Sequence, residues 1–207
     1  MSVLDLESNE LCFCLNNSGI SGLGFKSFSD KILIDMENEF EQPIINFKPA
    51  DLKRYFINHL NKIYCAKNHL VENFPAVLEL ATFADLKETI KNSIEDLRNQ
   101  IARMREIYSI LKISYEPGSC RMFQGLIDEL FIGARQDVDN PELRDMSIIY
   151  YLQNLESLEM ASFHALQMAA IKFKNNDINE LLAENFDDAK TERAMLRLLT
   201  AKYLTSN

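Results

Sequence analysis

From Glu142 to its last residue this chain contains neither glycine nor proline. A run of that length without backbone breakers favours continuous helix, provided its apolar positions recur at three- and four-residue steps. They do. Ile148, Leu152, Phe163, Leu166, Ala170 and Phe173 form one stripe, and Leu182, Phe186, Leu196, Leu199 and Tyr203 form a second. Lys174-Asn175-Asn176 joins the two tightly, with Asp177 read as the cap of the second helix.

The same period governs the chain upstream. Leu52, Phe56, Leu60, Ile63, Leu70 and Phe74 mark a helix that opens after Pro49 and is expected to end near Pro75. Leu86, Ile90, Leu97, Ile101, Met104, Tyr108 and Leu111 mark another, stopped by Pro117-Gly118. A shorter apolar helix is expected from Ser119 to Gly133, and a polar loop from Gln136 to Pro141 follows it. Four long amphipathic helices and one short one make an all-α four-helix bundle over residues 49–207.

Residues 1–48 read differently. They hold Gly19, Gly22, Gly24 and Pro43, and eight acidic residues against three lysines. Leu11, Phe13, Leu15, Phe25, Ile32 and Ile34 show no helical period. This is an N-terminal arm, expected to be non-helical and to pack across the bundle or onto a second subunit. Its glycines lack the order of a phosphate loop.

Charge narrows the partners. The 207-residue chain carries a formal net charge of -9, which leaves no basic footprint for a phosphate backbone, so nucleic acid is not expected. No stretch approaches the roughly 18 apolar residues of a membrane span, and no secretory signal opens the chain. Four cysteines (Cys12, Cys14, Cys65 and Cys120) are too few and too scattered for a disulfide framework. Cys65 and Cys120 read as packing thiols, and Cys12-Phe13-Cys14 as a lone C-x-C short of a metal site. A reducing cytoplasm is the expected compartment.

The informative positions are polar residues on apolar stripes. Lys67 stands in line with the core residues of the first helix. Ser93 and Gln100 lie on the second stripe, with Asp96 at its border. Glu156 and Glu159 sit one turn apart on one face, and Asp188 and Glu192 interrupt the last helix. Buried carboxylates need cations or shared protons, and the cations are either bound metals or the Lys67 ammonium. Di-iron bundles use Glu-x-x-His on two helices. The residues three before His59, His69 and His164 are Phe56, Ala66 and Ala161, so that motif is missing. His164 reads as a core histidine.

At this point the residues resemble a known family. Cys120-Arg-Met-Phe-Gln-Gly125-Leu126-Ile127-Asp-Glu129 resembles the cysteine, methionine and Gly-Leu-Ile signature of the YciF/YciE ferritin-like stress proteins. Leu155-Glu156-Ser157-Leu158-Glu159 resembles that family's V-E-H-Y-E, and Ile63 to Leu70 has the shape of its L-Y-D-A-E-K-Q-L. Gln100-Ile-Ala-Arg103-Met104 fits its Q-V-x-R-L, and Asp187-Asp188 falls on its E-E. The resemblance covers about residues 50–204 and leaves the arm outside.

The resemblance implies a ferritin-like bundle, often dimeric, in bacterial stress responses, with acids and histidines holding a di-metal centre. Here the helix-one Glu position is Lys67, the His, Glu and Thr of H-x-x-E-T fall on Ser93, Asp96 and Leu97, and the His of E-H-Y-E is Ser157. Asp96, Glu156, Glu159 and Asp188 remain as candidate or vestigial metal ligands, with Lys67 as the substitute cation. The leading expectation is a degenerate, non-catalytic bundle protein without a cofactor, forming a homodimer in the cytoplasm. The alternative is a working iron or manganese carboxylate protein with oxidase or peroxide-scavenging chemistry.

Overall fold

The computed structural model describes residues 47–118, 120–137 and 139–205. The expected arm, with Cys12, Cys14 and the three early glycines, lies outside the described residues. Among the described residues five α-helices follow in order: α1 (Pro49–Leu80), α2 (Ala84–Leu111), α3 (Arg121–Gln136), α4 (Pro141–Ala170) and α5 (Asn176–Thr205). A 3-10 turn, Ile171–Phe173, bridges α4 and α5.

Local chemistry sets most of the boundaries. Pro49 and Pro141 open α1 and α4 at positions that need no amide donor. Asn140 caps α4, its side-chain oxygen accepting from the Leu143 amide at 3.1 Å. Lys112, with φ 53°, turns the chain out of α2. Two expectations are corrected here. Asn175, not Asp177, holds the start of α5, accepting from the Ile178 amide at 3.0 Å. The first helix does not end at Pro75; it runs through it to Leu80. Proline deletes one backbone hydrogen bond there, but Phe74 and Val77 are both buried, and that packing holds the last turn in place.

The four long helices form a ring in which α1 packs on α2 and α4, and α5 packs on α2 and α4. Side-chain pairs give the directions. Phe56 meets the Phe173 ring edge-on at 4.9 Å and Lys67 meets Glu159, so α1 and α4 run antiparallel. Gln153 donates to Thr200 at 2.6 Å and Arg193 to Ser157 at 2.8 Å, which sets α4 against α5. Asp85 reaches Lys202 and Arg103 reaches Asp188, which sets α2 against α5. Consequently α2 and α4 are parallel, and the chain must travel back along the bundle between them. That return is made by residues 112–118 and by α3, which lies on α4 and α1. One long crossover of this kind is the connectivity of ferritin-like bundles.

Asp145 secures one end of the bundle. Its side chain is fully buried on α4 and Oδ2 accepts from the amides of Thr82 (2.7 Å) and Phe83 (2.5 Å). Those donors precede α2, so a carboxylate on one helix satisfies the entry of another.

Candidate functional site

Halfway along the bundle, each long helix turns a polar residue inward. Lys67 comes from α1, Ser93 from α2, Glu156 and Glu159 from α4, and Glu192 from α5. All five are buried: Lys67 is 1% exposed, Glu159 0%, Glu156 4%, Ser93 5% and Glu192 9%. Stripe periodicity places them there, because each sits in line with apolar neighbours of its own helix.

The Lys67 ammonium pairs with Glu159 Oε2, and the face of the Phe163 ring lies 5.6 Å from Nζ. Glu156 and Glu192 are hydrogen-bonded to each other, which requires a proton between them. Burial, above all, pushes the Glu156 carboxyl well above its ordinary value, reinforced by the negative charges of Glu159 and Glu192. Glu192 is pushed up to about 7, again chiefly by burial; Lys67 and the hydrogen bonds from Glu156 and Ser93 oppose the rise. Both carboxyls are raised, as two buried acids sharing one proton require. The Ser93 hydroxyl has two acceptors, the Thr89 carbonyl at 3.1 Å and the Glu192 carboxyl. One ammonium, one anionic glutamate and an acid pair sharing one proton leave a single net negative charge, far less than three ionised carboxylates would carry, which lowers the cost of burying so many ionisable groups.

The other sequence candidates, Asp188 and Asp96, are half-buried rather than buried. Asp188 is held by Arg103, whose Nη1 lies 2.5 Å from Oδ2. The same guanidinium reaches Glu184 at 2.6 Å and Asn185 at 3.2 Å. Asp96 is half-buried near this group; burial raises its carboxyl first, then the charges of Asp188 and Glu95, against Arg103 and Lys67. Ser157, at the position where the resemblance expects a histidine, is engaged by Arg193 instead. His164, read as a core histidine, is exposed: it follows the fully buried Phe163, and one step along a helix turns a side chain by about 100°. Glu192 belongs to the cluster although the candidate set left it out; its place on the stripe 185, 188, 192, 196, 199 was the available signal. Gln100 is fully buried with neither side-chain polar atom partnered, and Glu156 Oε2 and Glu159 Oε1 are also unpartnered. Among the described residues, no three His, Cys, Asp or Glu side chains are grouped so as to hold a metal ion.

The cysteine reading is also corrected. Cys65 on α1 and Cys120, immediately before α3, are joined in a disulfide with their Cα atoms 6.0 Å apart. Sequence spacing missed the pair because 55 residues separate them, and only the crossover brings them together.

Comparison with known proteins agrees with the fold. Residues 51–206 match the family described as a domain of unknown function, DUF892. The E. coli stress protein YciF superposes with a TM-score of 0.71 at 21% identity, covering 75% of this chain and 98% of that one. YcfI from Rhodopseudomonas palustris gives 0.67 at 23% identity, covering 70% and 92%. No curated protein matches the sequence. Among the described residues no helix is long and apolar enough to cross a membrane.

Proposed function

This chain belongs to the DUF892 family, and from that premise we propose a stress-related, non-catalytic bundle protein in which a lysine takes the place of metal. The observation that carries the reading is the buried Lys67–Glu159 ion pair beside Glu156 and Glu192. The stress role comes by likeness to YciF, which is named a stress protein.

The residues present do not fit a di-metal centre of the ferritin-like type. Such a centre takes a Glu from each of two helices and a Glu-x-x-His from each of the others. Here an ammonium already neutralises Glu159, and the acid pair of Glu156 and Glu192 is bridged by a proton. No histidine belongs to the cluster, which removes the neutral nitrogen that suits iron and manganese sites. A dication entering would also meet the lysine. Two unit charges 4 Å apart repel by about 4 kcal/mol at an effective dielectric of 20, and the dication doubles that.

On this reading the four groups work as internal glue. Lys67 neutralises Glu159, Glu156 and Glu192 share a proton, and the Phe163 ring covers the ammonium. The cluster ties α1, α4 and α5 together where an ancestral metal would have tied them. The reading carries with it a homodimer located in the cytoplasm, with a second copy of the chain as its partner. Leu143, Tyr150 and Leu204 leave exposed apolar surface that such a partner could cover.

Elemental analysis of the full chain, purified without chelator, tests the proposal. Iron and manganese should together fall well below one atom per chain. Two atoms per chain would restore the alternative, a working di-metal carboxylate protein.

A further inference from the structure

The crossover holds a second feature, independent of the buried cluster. The Cys65–Cys120 disulfide fastens the middle of α1 to the residue that opens α3. The two sulfurs differ in surroundings. Cys120 is 3% exposed, whereas Cys65 is half-buried at the edge of the core. Cys120 is also the N-cap of α3: its carbonyl accepts from the amides of Phe123 (3.0 Å) and Gln124 (3.1 Å), and no side chain caps that end. The first turn of α3 carries no acidic residue, and it begins with Arg121. The start of a helix leaves amide donors without intrahelical acceptors and favours a nearby anion.

The geometry points to a reversible thiol–disulfide exchange site that takes low-molecular-weight thiols and disulfides of the glutathione class. A glutathione thiolate attacks Sγ of Cys65, the more exposed of the two residues. The S–S bond breaks, and Cys120 leaves as a thiolate favoured by the α3 N-terminus, since the better-stabilised thiolate is the better leaving group. A mixed disulfide between Cys65 and glutathione results. A second glutathione thiolate attacks the glutathione sulfur of that adduct, releasing oxidised glutathione and the Cys65 thiolate. Two electrons and, after protonation, two protons have then passed from two glutathione molecules to the protein. Oxidised glutathione drives the same steps in reverse.

Reclosure needs the two thiols to stay near each other, and the loop supplies that. Tyr115 packs on Tyr64, the neighbour of Cys65, with ring centroids 4.7 Å apart, and on Tyr108 at 6.2 Å. These ring contacts are separate from the bridge and hold Tyr115 against α1 and α2, while the Cα atoms of the two cysteines stand inside the usual span for a disulfide. Oxidation then fastens the crossover, and reduction loosens it.

The test equilibrates the full chain in glutathione buffers of stepped ratio, alkylates free thiols and maps the peptides by mass. Peptide mapping separates this pair from Cys12 and Cys14. Cys65 and Cys120 should gain and lose alkylation together, reversibly, and the oxidised chain should melt higher by roughly 10 °C, as expected for closing a loop of this length. In Cys120→Ser, glutathione should add to Cys65; in Cys65→Ser, Cys120 should stay free of adduct in the folded protein. The proposal is overturned by free thiols at both positions in excess oxidised glutathione, or by a bridge that survives excess reduced glutathione. Equal melting of the two forms, or an adduct that prefers Cys120, would overturn it as well.

Discussion

Lys67 and Glu159 lie 92 residues apart in sequence and form an ion pair that solvent does not reach, the lysine 1% and the glutamate 0% exposed. The pair joins the first and fourth helices at a level where each long helix turns a polar residue into the core. Its energetics follow from what each partner does for the other. Separate them, and either one is a lone charge in an apolar interior.

Lys67→Ala should therefore lower stability near pH 7 by about 3–5 kcal/mol, the range for breaking a buried pair from one side. Urea denaturation at pH 7.5 measures the loss. A variant that unfolds at the parent's midpoint would show that the pair is not structural.

Glu192 gives the parent protein a pH profile with a definite sign. Its carboxyl is raised by burial from an ordinary 4.5 to about 7 in the folded state. A raised pKa contributes stability that is complete below about pH 4.5 and is lost as pH rises through about 7. Glu156 shifts in the same direction and adds to the slope. Glu192→Gln keeps an acceptor for Glu156 and removes this titration, so its stability should fall less between pH 5 and pH 8 than the parent's. Parallel melting curves for the two proteins would contradict the assignment.

Asp145→Ala should cost about 2–3 kcal/mol. The substitution strips the acceptor from the Thr82 and Phe83 amides, and donors left unpaired at a helix entry carry their full desolvation penalty. Hydrogen exchange should report faster opening of the first turn of α2 than of the middle of α5. Uniform acceleration across the bundle would argue against a local capping role.

Two glycines of α3 should respond in opposite directions. A Cβ on Gly133 would sit 2.9 Å from the Tyr151 ring of α4, whereas one on Gly125 meets nothing within 4 Å. Gly133→Ala should destabilise by about 1–3 kcal/mol as the ring is displaced. Gly125→Ala should stabilise by up to about 1 kcal/mol through helix propensity alone. Thermal melts of the two variants, compared with the parent, settle the contrast.

The sequence by itself determined the helices and the inward direction of their stripes, since both depend on neighbours three and four positions away. Lys67, Glu156 and Glu159 were legible as buried charges for that reason. Tertiary structure decided which charge meets which. Asp188 and Glu192 stand one turn apart on the same stripe, yet Arg103 of α2 draws Asp188 toward the surface, while Glu192 shares a proton with Glu156. Nothing local to α5 distinguishes them; the partner helix does. The same holds for Pro75, kept helical by the burial of Phe74 and Val77, and for Cys65 and Cys120, brought together only when the crossover folds back along the bundle. Helical periodicity is a short-range property of the chain, whereas charge pairing and bridging depend on distances that exist only once the helices have packed.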